Sequence, residues 1–149
     1  MENLLGIKIG KSQLELIQEI GTLLFAEFPT TVLYYDKSNN LIIKEWVDCS
    51  DDYKINRYFF YKTDKLSVAR FIDNKITHLD LIRNSLDGLV YFQDQNENEV
   101  TDFTVLSIDR IPNTYLPSSS LKLSYISIVD YPKINEILNL CEIDTNIDI

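Results

Sequence analysis

A chain of 149 residues, 45% hydrophobic and 25% charged, has enough apolar surface to offset the entropy of ordering, which excludes disorder throughout and suits one domain over 1–149. Its 23 acidic against 14 basic residues give a net charge of −9, which repels phosphate backbones and argues against nucleic acid, while suiting a basic protein partner. No apolar run approaches a membrane span, and the start MENLLGIKIGK lacks the basic and apolar parts of a signal peptide, so a cytoplasmic, reduced protein without a membrane role is expected.

Residues 1–11 read as a loose start or a short strand. Two readings stand for Leu14–Phe25. Ser12-Gln13-Leu14-Glu15 has the form of a capping box, and Leu14, Ile17, Ile20 and Leu24 follow near helical spacing. The alternative is a strand through Leu14, Leu16 and Gln18, broken at Gly21. Pro29 resets the chain. Thr31–Tyr35 and Leu41–Val47 read as a hairpin around the polar turn Asp36–Asn40, whose side chains can bond the local backbone. Alternation puts Leu41, Ile43 and Val47 on one face and Ile42, Lys44 and Trp46 on the other.

Cys49–Asp52 reads as an acidic turn and Lys54–Tyr61 as a third strand. Thr63 or Asp64 caps a helix with Leu66, Ala69 and Ile72 on one face. After Asp73-Asn74-Lys75, Thr77 caps a second helix with Asp80 at the capping-box position and Leu79, Ile82 and Leu86 as its buried stripe. Gly88 lies past its end. Leu89–Gln93 and Val100–Ile108 form a second hairpin around Asp94–Asn98, followed by a loop from Ile111 to Pro117. Leu121–Val129 reads as a further strand. Pro132 opens a last helix, where Ile134, Ile137, Leu138 and Cys141 follow i, i+3, i+4, i+7 spacing, and 142–149 is an acidic tail expected to fray.

The succession of an aromatic strand, a polar turn, Trp46-Val47-Asp48, a strand ending near Tyr61 and a helix around Leu66–Phe71 continues with Ile76-Thr77-His78-Leu79-Asp80-Leu81-Ile82. Val90-Tyr91-Phe92, Ile111-Pro112 and Tyr115-Leu116-Pro117 come later. Over roughly residues 22–124 this pattern resembles a family of small bacterial proteins catalogued only as a domain of unknown function. The resemblance supports the architecture and brings no catalytic residues with it.

His78 is the sole histidine. Asp73, Asp80 and Arg83 lie near it in sequence, but no nucleophile or set of metal ligands does, so it reads as a surface residue in the first helical turn. Asp48, Asp51 and Asp52 raise the pKa expected of Cys49, which argues against a thiolate nucleophile there. Cys141 reads as core. The acidic turn lacks the glycine and terminal glutamate of a calcium loop, so no metal and no cofactor is expected. Phosphate-binding, zinc-protease and serine-hydrolase motifs are absent.

Aromatic residues crowd the strands: Tyr34, Tyr35, Trp46, Tyr53 and Tyr58–Tyr61 all fall within one third of the chain. If helices cover one sheet face, the other either keeps several rings as a binding surface or buries them too, in cross-strand pairs. The expected fold is α+β: a mainly antiparallel sheet of about five to seven strands, packed by two middle helices and a C-terminal one. The expected function is a non-enzymatic protein-interaction module, of which an immunity or anti-defence protein would be one form. Its partner would dock on Trp46, Asp48, Asp51, Asp52 and Tyr53, with no catalytic residues assigned. The alternative is an enzyme or small-ligand sensor with a pocket between sheet and helices, lined by Tyr residues, His78 and Arg83.

Overall fold

The computed structural model describes residues 1–26, 28–118 and 130–146. Among these residues its centre is an antiparallel sheet of seven strands: β1 (Ile7–Ile9), β2 (Leu16–Ala26), β3 (Phe28–Asp36), β4 (Leu41–Cys49), β5 (Asn56–Thr63), β6 (Leu89–Gln95) and β7 (Phe103–Ser107). Their spatial order is β1-β7-β6-β5-β4-β3-β2. Helices α1 (Lys65–Ile72) and α2 (His78–Arg83) connect β5 to β6, and α3 (Tyr131–Leu138) packs against β2. This is the α+β architecture expected of the sequence. The strand expected at Leu121–Val129 lies outside the described residues.

Both hairpins form as the alternation requires. Tyr34 pairs with Ile42 and Leu33 with Ile43 across β3 and β4, and Val90 pairs with Leu106 across β6 and β7. The intervening turn is held by Asp36, whose Oδ1 accepts from the backbone N–H of Ser38 and Asn40, while Asn39 takes a left-handed φ of 63°. Caps fix the two middle helices. Asp64 accepts from the Ser67 N–H at 2.8 Å, and Thr77 and Asp80 complete a reciprocal capping box.

The helical reading of residues 14–25 is corrected. Ser12 lies in a single 3-10 turn, Lys11–Gln13, with no side-chain cap, and the chain then enters β2. Four register irregularities interrupt the β2–β3 pairing between Leu16 and Phe25. Each disturbs the period of two, which is why the apolar spacing looks near-helical. The strand runs through Gly21 rather than breaking there.

Two smaller expectations also change. Helix α2 ends at Arg83, so Leu86 falls in the following turn and is exposed. Helix α3 ends at Leu138, and Asn139 adopts a left-handed conformation. Leu140 therefore takes the buried place expected for Cys141, which is exposed. At the chain end, Leu140–Glu142 forms a 3-10 turn and the Thr145 hydroxyl donates to Asp73 at 2.8 Å.

Helices cover one face of the sheet. Leu33, Ile43, Phe59, Tyr61 and Phe92 pack there with Val68, Phe71, Leu81, Ile82 and Ile134. Of the two readings open for the opposite face, rings exposed as a binding surface or rings buried on both sides, the structure fits the second. Phe60 and Phe103 are each only 2% exposed and meet edge to face, packed with Ile42 and Leu14, while Tyr34, Tyr58 and Tyr91 are half-buried around them.

Curling of the sheet explains this closure. Six inter-strand gaps of about 4.8 Å would make a flat sheet roughly 29 Å wide. The edge strands β1 and β2 are joined by seven Cα steps from Ile9 to Leu16. Fully extended, those steps reach at most about 25 Å, and the 3-10 turn shortens them further. The edges must therefore bend toward each other, and the link carries Leu14 over the face that the helices leave uncovered.

Candidate functional site

Register places three polar side chains together on the helix-covered face, and α2 brings a fourth. Glu45 of β4 follows Leu41 and Ile43 in alternation, and it sits directly opposite Thr31 on β3 and Phe59 on β5. Tyr61 lies two residues along β5 on the same face. The capping box starts α2 at His78, whose ring meets Phe71 of α1 with centroids 5.8 Å apart.

These groups converge on the Glu45 carboxylate. Oε2 accepts the Tyr61 hydroxyl at 2.8 Å and faces His78 Nε2 at 2.6 Å, while Oε1 accepts the Thr31 hydroxyl. Glu45 is 3% exposed and His78 9%. A carboxylate so deep in the core persists only if its oxygens are satisfied, and these three donors satisfy them. Burial disfavours a charged imidazolium, but the Glu45 charge and hydrogen bond outweigh it and hold the His78 pKa above its ordinary 6.5. Burial, then the Glu45 charge and hydrogen bond, push the Tyr61 phenol well above its ordinary 10. With Nε2 donating to Glu45, the remaining ring nitrogen, Nδ1, is buried without a hydrogen-bond partner.

The expectation of a surface histidine is therefore overturned: His78 is buried and paired with a carboxylate. The pair lines a cleft of about 380 Å³ between the sheet, the start of α2 and the 114–117 segment. Most of the lining is apolar, including Leu24, Phe25, Phe59 and Leu116, with the threonines Thr30, Thr31 and Thr114 among it. No Lys or Arg belongs to it among the described residues. A larger hollow of about 650 Å³ lies beside β1, mainly lined by apolar side chains such as Leu5, Ile7 and Val105, and has no comparable convergence of polar groups.

The five residues expected to meet a partner divide into two sets. Trp46 is half-buried, lines the cleft, and donates from Nε1 to Asn56 Oδ1 at 3.0 Å. Val47 packs on the helix-side core, where alternation places it; the register shifts between Trp46 and Asp48, and Asp48 Oδ2 accepts the Tyr115 hydroxyl at 2.7 Å. Tyr115 OH also accepts from Arg57, whose guanidinium binds Asp94 through two N–H groups at 2.8 and 3.0 Å. Asp51, Asp52 and Tyr53 occupy the β4–β5 hairpin tip, with Tyr53 80% exposed at a φ of 60°. Asp52 Oδ1 accepts from the Ser50 hydroxyl and the Lys54 N–H, which hold its pKa below the ordinary value. Arg83, named with His78 in the alternative, is exposed and lines a separate hollow beside Ile108 and Asn113.

Sequence reading missed Glu45, Thr31 and Tyr61. The signal was present in β4, where Glu45 falls between Ile43 and Val47 on the core-facing register. A carboxylate at such a position needs donors from neighbouring elements, and the chain has one histidine to offer.

Compared with protein-family models, curated proteins and solved structures, the chain matches none. Among the described residues no helix is long and apolar enough to cross a membrane, and no group of three or more His, Cys, Asp or Glu side chains is placed to hold a metal ion.

Proposed function

We propose that this chain binds a small molecule in the cleft floored by Glu45 and His78. The supporting observation is the combination of a mostly apolar cleft of ligand size with a buried, hydrogen-bonded Glu45–His78 pair in its lining. Apolar walls supply affinity, and the few polar groups orient the bound molecule. Binding rather than proton transfer to a substrate is the favoured role, because Nε2 is committed to Glu45 and Nδ1 has no hydrogen-bond partner to relay a proton.

Trp46 supplies the test, since it is the chain's one tryptophan and lines the cleft. A neutral aromatic probe, 2-naphthalenemethanol, should change Trp46 emission in a saturable way. Thr30→Trp, which puts a large ring into the cleft, should weaken that binding by about tenfold or more, judged by probe fluorescence. Saturation by the probe at equal affinity in both proteins would remove the cleft as the site.

A second reading, docking of a basic protein on the β4–β5 hairpin tip, is favoured by the exposed Tyr53 beside Asp51 and Asp52. It leaves the cleft unused. Tyr53→Ala would weaken such docking and leave probe binding as it was.

A further inference from the structure

The cleft reading can be carried to the class of molecule bound. We propose that the cleft takes a largely apolar ligand bearing an ammonium group, and that its binding releases a proton from His78 Nδ1. This inference rests on the cleft reading.

The charge of the lining is the first argument. Glu45 and His78 are its only ionisable acid and base among the described residues, apart from phenols, so an anionic ligand would find no free counter-charge. Glu45 is the single carboxylate, and its three present donors leave one acceptor direction of the usual four.

The orphaned nitrogen is the second argument. His78 donates Nε2–H to Glu45 whether the ring is charged or neutral, so that hydrogen bond survives a change of protonation. A protonated Nδ1 carries a buried N–H with no acceptor, whereas a neutral Nδ1 leaves only an unused lone pair. When a ligand ammonium supplies positive charge to Glu45, the imidazolium is no longer needed for that purpose. Its Nδ1 proton passes to solvent, and the summed charge of the site stays constant without any rotation of the ring.

The groups packed around His78 allow this exchange. Glu45 on β4 and Tyr61 on β5 are the ionisable groups against it, and Tyr61 keeps its proton because its pKa is raised. Helix α1 contributes Phe71. Tyr115 beside the cleft turns its hydroxyl to Asp48 and Arg57. On its own helix, Asp80 and Arg83 are exposed, and Asp80 is engaged in the cap.

Three probes of one shape separate the outcomes: 2-naphthylmethylamine, 2-naphthalenemethanol and 2-naphthoate, titrated into the intact chain and followed by Trp46 emission and calorimetry. The amine should bind tightest. Its affinity should rise roughly fivefold or more from about pH 6 to about pH 8, the alcohol's should not, and calorimetry in buffers of different ionisation enthalpy should show proton release with the amine alone. Glu45→Gln should remove the amine's advantage over the alcohol. His78→Gln should keep the advantage and lose its pH dependence, so the proposal stays testable if Glu45→Gln does not fold. Equal binding of amine and alcohol without proton release would overturn this ligand class while sparing the cleft. Tightest binding of the naphthoate would overturn it too. Failure of all three probes to bind would remove the cleft reading itself.

Discussion

Glu45 accepts hydrogen bonds from three separate elements, β3, β5 and α2, so its carboxylate ties the sheet to the helical layer. Glu45→Gln keeps the shape but turns an N–H₂ toward at least one existing donor. A loss of about 2 kcal/mol is expected from urea unfolding. His78 adds a pH dependence. Its pKa is raised in the folded chain, so its stabilisation is complete below the unfolded value of 6.5 and is lost as pH rises through the folded value. The urea midpoint of the wild type should therefore fall above pH 6.5 relative to His78→Gln, and parallel profiles of the two proteins would contradict the pairing. Glu45 was legible in the alternation of β4, as a charge between two core positions. The first-turn place of His78 was legible too, but its burial depended on how α2 lies across the sheet, which no local pattern encodes.

At the scale of elements, local chemistry was readable where it is self-contained. The Asp64 and Thr77 caps, the Asp36 turn and the alternation in β4 all depend on residues a few positions apart. Strand β2 was readable only as one of two alternatives, because its bulges hide the period of two and its outcome is set by pairing with β3. Gly21 shows the tertiary constraint: a Cβ there would sit 2.8 Å from Ile134 Cγ1 and 2.9 Å from Asp130 Cβ. Asp130 also accepts the Thr22 N–H at 2.8 Å, so α3 is clamped against β2 at this point. Gly21→Ala should force α3 away and cost about 1–3 kcal/mol, measured by thermal or urea unfolding. Gly10→Ala is the control, since the nearest neighbour of its added Cβ is the Ser12 Oγ at 3.9 Å. Equal stability of the two variants would contradict the clamp.

For the molecule as a whole, strand order makes β5 the middle of the seven strands, with Phe59 and Tyr61 buried against the helices and Phe60 against the other face. Amides of Phe59–Tyr61 should be the last to exchange with deuterated solvent, and those of β1 at the edge among the first. The class of fold was legible because strand and helix signals follow one another in clear blocks. The curl was not, since it arises from joining opposite sheet edges through the short link that follows β1. That curl closes the aromatic face that an open sheet would have offered to a partner, and leaves the cleft beside Glu45 as the stronger candidate site.

Because the chain has a single histidine, a nitrogen-15 NMR titration of His78 reads the centre of this site without overlap. A proton should stay on Nε2 at every pH, with a midpoint above 6.5 set by Nδ1 that drops when 2-naphthylmethylamine fills the cleft. A midpoint at 6.5 with both nitrogens behaving as in free imidazole, unchanged by the probe, would contradict this expectation.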